Sequence, residues 1–256
     1  MIAGCGELEF DLPSALLTAI LAKFDDIEPA DLTVANTNEV PEAQGIYALY
    51  LKNPQRLVYI GKTDSDAGLK HRLIRHARKL IGRLNLGPGD IEFRAIRVFV
   101  FTAMDIETAL IKHYGGVSSV AWNNSGFGSN DPGKERDTTN YKDDHWDTQY
   151  PIDLDTAYCD FEPGEYSVGE IMSGLKLKLP YLLRFQRPGR SRTSFHDDFI
   201  NARVQIQRHG LTPRQILQEC MAALPEGWHA TALPSHIICY KNDNRNFPSG
   251  ETIARS

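Results

Sequence analysis

Apolar residues recur at helical spacing over residues 12–24, where Pro13-Ser14 opens the run Ala-Leu-Leu-Thr-Ala-Ile-Leu-Ala. This predicts an amphipathic helix that either packs on the neighbouring domain or serves as a dimer contact. A polar connection, 25–44, leads to two short β-rich runs, 45–51 and 57–61, separated by the turn residues Asn53-Pro54. That pattern predicts a hairpin. Residues 68–84 place Leu69, Leu73, Leu80 and Leu84 along one stripe and basic residues elsewhere, predicting a basic helix. Gly87-Pro88-Gly89 marks a turn. The run 92–101, rich in Phe, Ile and Val, predicts a largely buried third strand. A helix capped by Thr102 or Asp105 follows to Tyr114 and stops at Gly115-Gly116. The order is β-β-α-β-α, a small antiparallel sheet flanked by helices.

Beyond it lies an irregular stretch, 122–147, whose aromatics and glycines favour an ordered, functional loop over a disordered one. The C-terminal part reads differently. Ser167 and Glu170 form a capping-box pattern opening a helix toward Leu179. A basic Pro/Gly/Ser loop spans 186–194, and a second helix is expected over 195–209, stopped by Gly210. Thr212-Pro213-Arg214-Gln215 caps a third helix to about Leu224. Residues 228–233 and 236–241 form a closing hairpin across Pro234-Ser235. Three helices and a hairpin follow the outline of a winged helix. The alternative is an α+β appendage that stabilises the first domain or a dimer.

Hydrophobic residues are 41% and charged residues 24% of the 256, ordinary values for a globular chain. No apolar run approaches the roughly 18 residues of a membrane span. The N-terminus lacks the basic and apolar regions of a signal peptide. Cys5, Cys159, Cys220 and Cys239 have no CxxC or zinc spacing, so reduced thiols and a cytoplasmic location are expected. Net charge is −5, which alone argues against a polyanion partner. The charges are segregated, however. Lys62, Lys70, Arg72, Arg75, Arg78, Lys79 and Arg83 crowd one segment, and a second basic region runs from Lys176 to Arg214. An acidic stretch from Asp143 to Glu165 separates them, and such segregation suits a face for nucleic acid.

The stretch 45–76 concentrates the chemistry. Two strands each present a tyrosine, Tyr47 and Tyr59, and the next helix presents Arg72 and His76 four residues apart on one face. Phosphodiester hydrolysis needs such groups, a hydroxyl or base to activate water and cations to hold phosphate. Each residue also has a bland explanation. Strand tyrosines are usually core, helix cations are usually solvated, and a carboxylate such as Glu107 is favoured near a helix start by the dipole alone.

Taken together and in order, these residues resemble the GIY-YIG nuclease superfamily. Gly45-Ile46-Tyr47 and Tyr59-Ile60-Gly61 match its two name-giving strands, and Arg72-x-x-Arg75-His76 matches its helix motif. Glu107 matches its metal-binding carboxylate, and Trp122-Asn123 its closing asparagine. The resemblance covers roughly residues 44–125. The loop from Gly126 through Asp131, Gly133 and Arg136 to Asp137 is further similar to type II restriction endonucleases built on this module. The C-terminal hundred or so residues depart from that compact pattern.

The chain as a whole is expected to be an α+β fold in three parts: an N-terminal helical extension (1–40), a nuclease domain (41–155) that the resemblance implies, and an accessory domain (165–256) for DNA binding or dimerisation. The resemblance implies Tyr47 as general base, its phenolate favoured by Lys62, Arg72 or His76, with His76 as the alternative base. Arg72 would clamp the scissile phosphate, Tyr59 would orient phosphate or water, and Asn123 would fix the active-site loop. Glu107 would hold Mg2+ or Mn2+. Lys62, Arg75, Lys79, Arg136, Arg187, Arg190 and Arg192 are candidate DNA contacts. The implied activity is sequence-specific restriction of foreign double-stranded DNA by a homodimer, with a separate methyltransferase or other self-protecting partner and no membrane. Structure-specific, repair or homing cleavage is the alternative activity, and a non-catalytic DNA-binding module is the alternative of another class.

Overall fold

The computed structural model describes residues 11–63, 68–99, 106–129, 131, 133–189, 191 and 193–256. It is a mixed α+β structure in two compact units, Met1–Ala77 with Pro88–Asn124, and Arg78–Gly87 with Ser125–Ser256. The expectation from the sequence places 78–87 and 125–155 with the first domain.

The first unit opens with α1 (Leu12–Asp26), whose N-cap Asp11 accepts from the Ser14 amide at 3.1 Å. The stretch expected to be a plain connection holds β1 (Ala30–Asp31) and a short α2 (Val34–Asn38). The hairpin follows as β2 (Gly45–Lys52) and β3 (Gln55–Thr63). Helix α3 (Leu69–Leu80) is shorter than expected, because Gly82 turns left-handed at φ +70 just beyond it. Leu84 therefore leaves the apolar stripe and is exposed. Strand β4 (Ile91–Arg97) and helix α4 (Ile106–His113) complete the unit. The expected caps Thr102 and Asp105 lie outside the described residues.

The strands run in the order β1-β4-β2-β3, antiparallel throughout. Because successive side chains alternate faces, Ile46, Ala48 and Ile60 share one face. There they pack with Ile20 and Phe24 of α1 and Ile106 and Leu110 of α4. Helix α1 is thus part of this unit's core. The opposite face carries Tyr47 and meets α3.

In the second unit, α5 (Trp146–Gln149) closes the 122–147 loop, within which Gly133–Thr138 forms a 3-10 turn. Then come β5 (Gly164–Ser167), α6 (Val168–Lys178), β6 (Leu182–Phe185), α7 (Asp197–Asn201) and β7 (Arg203–Ile206). Helix α8 (Pro213–Ala223) and strands β8 (Trp228–Leu233), β9 (His236–Lys241) and β10 (Glu251–Arg255) end the chain. Both expected capping boxes form, Ser167 with Glu170 and Thr212 with Gln215.

The helix expected over 195–209 is a correction. Only Asp197–Asn201 is helical, and Arg203–Ile206 pairs antiparallel with β5. The period there is two rather than 3.6: Val204 and Ile206 are buried while Arg203 and Gln205 are exposed. The larger sheet has the order β10-β8-β9-β6, with β6 parallel to β9. Its core joins α6, α8 and the Trp228 face of β8. Cys159, Cys220 and Cys239 are buried free thiols, raised by burial, and Cys5 lies outside the described residues.

Two buried carboxylates tie the 122–147 loop into this unit. Asp147 accepts from Arg83 at 3.0 Å and from Arg136 at 2.5 Å. Asp137 accepts from Arg184, from His236 Nε2 at 2.8 Å and from the Tyr240 hydroxyl at 2.8 Å. Burial alone would raise the Asp137 carboxyl, but the His236, Tyr240 and Arg184 interactions outweigh it and hold the group below 3.8. A depressed folded value stabilises above the unfolded one, and that stabilisation is lost as pH falls through the folded value. Asp137→Asn should therefore flatten the acid limb of a stability–pH curve, and an unchanged limb would contradict this balance.

Asp147→Ala leaves two buried guanidinium groups uncompensated and should cost about 3–5 kcal/mol in urea unfolding. The exposed pair of Asp155 with Arg214 is a control, and Asp155→Ala should cost about 1 kcal/mol or less. Equal losses would remove the special role of the buried carboxylate.

Candidate active site

Tyr47 lies in register with Gly61 on one side and Ala95 on the other. Its ring lies over Gly61, and a Cβ there would collide with the Tyr47 hydroxyl and ring. Gly45 is constrained in the same way, because a Cβ would strike the Ile96 carbonyl and the Leu69 side chain. The two glycines thus serve as space, one for the tyrosine and one for the start of α3. This role was hidden in sequence motifs that show only residue identity.

Helix α3 supplies the partners. Tyr47 Oη is 2.8 Å from His76 Nε2, and Arg72 donates its Nε to the same oxygen at 3.3 Å. The four-residue spacing puts both groups on one helical face, toward the sheet. Tyr59 closes the cluster, its ring centroid 5.3 Å from that of His76 and 6.0 Å from that of Tyr47. Tyr47 is 0%, His76 1% and Tyr59 6% exposed. Arg72 is half-buried and Arg75 exposed, so the arginines form the solvent-facing side of the cluster.

Burial, followed by the neighbouring Tyr59, pushes the Tyr47 phenol well above its ordinary value, and Arg72 offsets only part of this. The expectation that nearby cations would favour a standing phenolate is therefore corrected. Desolvation penalises the charged form more than the one arginine rewards it. The resting Tyr47 is a neutral phenol, hydrogen-bonded to His76 Nε2.

Asn123 acts on backbone. Its Oδ1 accepts from the Ile60 amide at 2.9 Å, and its Nδ2 donates to the Ile60 carbonyl at 2.8 Å. The Trp122 amide donates to the Val58 carbonyl at 2.8 Å. These bonds satisfy the outer edge of β3, which would otherwise present unpaired polar groups. They also fix the strand that carries Tyr59 and Gly61.

No protein-family model matches the chain, and no curated protein matches it. The reading of the site rests on its own geometry.

Glu107 is half-exposed in the first turn of α4, next to the fully buried Ile106 that anchors this helix on the sheet. Among the described residues no three His, Cys, Asp or Glu side chains gather into a metal cage. One half-exposed carboxylate suits an ion such as Mg2+, which keeps several waters and takes other oxygens from phosphate.

Of the candidate DNA contacts, Lys62 and Arg75 are exposed. Lys79, Arg136 and Arg187 each make contacts within the second unit. Lys79 donates to the Gly126 and Phe127 carbonyls at 3.2 and 2.5 Å, and lies over the Trp146 ring. Arg136 holds Asp147 and donates to the Tyr141 hydroxyl. Arg187 donates to the Thr193 and Ser194 carbonyls and lies against Phe185 and Phe195. These three cations stabilise loops of the second unit. Arg190 and Arg192 lie outside the described residues.

Asn123→Ala should lower stability by about 1–3 kcal/mol, the cost of leaving a buried amide and carbonyl unsatisfied. It should also speed amide hydrogen exchange at Ile60. Unchanged exchange there would show that the Asn123 clip does not hold the strand.

Proposed function

We propose that this chain is a metal-dependent DNA endonuclease of the GIY-YIG type, hydrolysing phosphodiester bonds in duplex DNA. One observation carries the reading: Tyr47, Tyr59, Arg72 and His76 converge from two strands and one helix, with the Tyr47 hydroxyl bonded to both helix residues. A buried phenol linked to an imidazole and bordered by guanidinium groups suits proton transfer beside a phosphate. It has little to offer chemistry without an anion.

Arg72 is the entry point. A phosphate competes for its guanidinium through charge-assisted hydrogen bonds stronger than the neutral one to Tyr47. Drawing Arg72 outward uncovers the phenol. Tyr47 then accepts the proton of an attacking water as it passes its own to His76 Nε2, so no free phenolate is required. Tyr59 steadies the imidazole and guanidinium. Arg75 and Lys62 add positive charge for the flanking backbone. Glu107 would hold Mg2+ or Mn2+, whose chemistry there is to polarise the phosphate and stabilise the leaving oxygen.

For the second unit, α6, α7, α8 and the β8–β9 hairpin keep part of a winged-helix outline, with β6 and β7 inserted between the helices. The outward residues of α8, Gln218, Glu219 and Ala222, carry no cation, so phosphate binding is not assigned to that helix. Restriction of foreign DNA by a homodimer is the biological setting that fits the loop resemblance, and it requires a separate self-protecting partner.

Supercoiled plasmid cleaved with magnesium tests the mechanism. Tyr47→Phe should lower the rate about 100- to 10,000-fold with DNA binding retained. His76→Ala should fall in the same range and not add to it, because the two act as one relay. Arg72→Lys should lose about 100-fold or more, and chelation of the metal should stop cleavage. Near-normal turnover of Tyr47→Phe would sink the relay.

A further inference from the structure

Beyond Arg97 the chain stays registered on Gln44: the Val98 amide donates to the Gln44 carbonyl at 3.2 Å, and Gln44 Nε2 donates to the Phe99 carbonyl at 3.3 Å. Phe99 is thereby held at a pinned position, yet it is 77% exposed, a large apolar ring facing water. The Arg97 guanidinium carbon lies 4.4 Å from the ring centroid, covering one face of it. Arg97 pairs with Gly45 and Ala95 with Tyr47, so Arg97 projects from the same sheet face as Tyr47.

We propose that Phe99, backed by Arg97, is a stacking platform for a nucleobase turned out of the stack of the bound nucleic acid; this rests on the nuclease reading of the Tyr47 cluster. An aromatic ring with one face against a guanidinium offers its other face to a base, and Arg97 adds attraction for the backbone phosphates. The backbone bonds to Gln44 fix the platform before binding, which lowers the entropy of association. A protein partner would be served by an apolar patch, whereas this ring stands beside a cation in the unit that also carries Lys62, Arg72 and Arg75.

Phe99→Trp provides the probe. The native tryptophans Trp122, Trp146 and Trp228 are 2%, 0% and 1% exposed, so a solvent-exposed indole at 99 is spectrally distinct. A labelled duplex oligonucleotide is titrated without metal, following its anisotropy and the indole emission, with inorganic polyphosphate as a base-free polyanion. The expected result is quenching by DNA but not by polyphosphate, with Phe99→Ala weakening DNA binding about tenfold. Binding by anisotropy without quenching overturns the platform and leaves the nuclease reading standing. Equal quenching by polyphosphate reduces the site to anion binding and also overturns it. Quenching that follows protein concentration alone assigns the ring to a contact between copies of the chain. Absence of any DNA binding defeats both readings together.

Discussion

The first unit is arranged around one packing constraint, the Tyr47 ring lying on a strand position that has no side chain. With Gly61 beneath it, Tyr47 can lie across β3 and bring its hydroxyl to His76 and Arg72 of α3. Any larger residue at 61 would lift the ring and separate the phenol from the imidazole. Gly45 does the same for the entry of α3, and Asn123 holds the strand that supplies Gly61. Core packing and candidate chemistry are thus the same set of contacts, so the tyrosines can be buried and functional at once.

The second unit solves a different problem. Its long loop has few apolar residues to bury and is held instead by Asp137 and Asp147, each surrounded by donors from distant segments. Such networks stabilise little compared with an apolar core, but breaking one partner is costly because the other charges stay buried. They therefore specify one loop conformation. Lys79 and Arg136 are the cations that hold the loop.

Much of this was legible in the sequence where the signal is local. The 45–61 hairpin, the basic helix, both capping boxes and the β8–β9 hairpin follow from short-range patterns of turn residues, caps and periodicity. What failed was non-local or too short to carry a period. Strand β1 has only two residues, and the parallel pairing of β6 with β9 depends on segments far apart in the chain. Over residues 199–206 the sequence does not separate helix from strand, because apolar positions at 199, 200, 202, 204 and 206 suit either period in so short a window. At the candidate site, Tyr47, Tyr59, Arg72 and His76 lie together as the motif order suggests, but residue identity misjudges their electrostatics. Whether cations or burial dominate at Tyr47 depends on solvent exposure, which residue identity does not report. The same holds for Lys79, Arg136 and Arg187, whose partners lie in loops whose folding no local pattern reveals.

Cleavage of unmodified plasmid and phage DNA with magnesium, beside the Glu107→Gln variant, tests the central claim most directly. Discrete fragments from the native chain, and intact DNA still bound by the variant, are the result expected of a sequence-specific endonuclease. The same fragments from both proteins would contradict the assignment of Glu107. Intact DNA in every lane, with no binding, would contradict the nuclease reading as a whole.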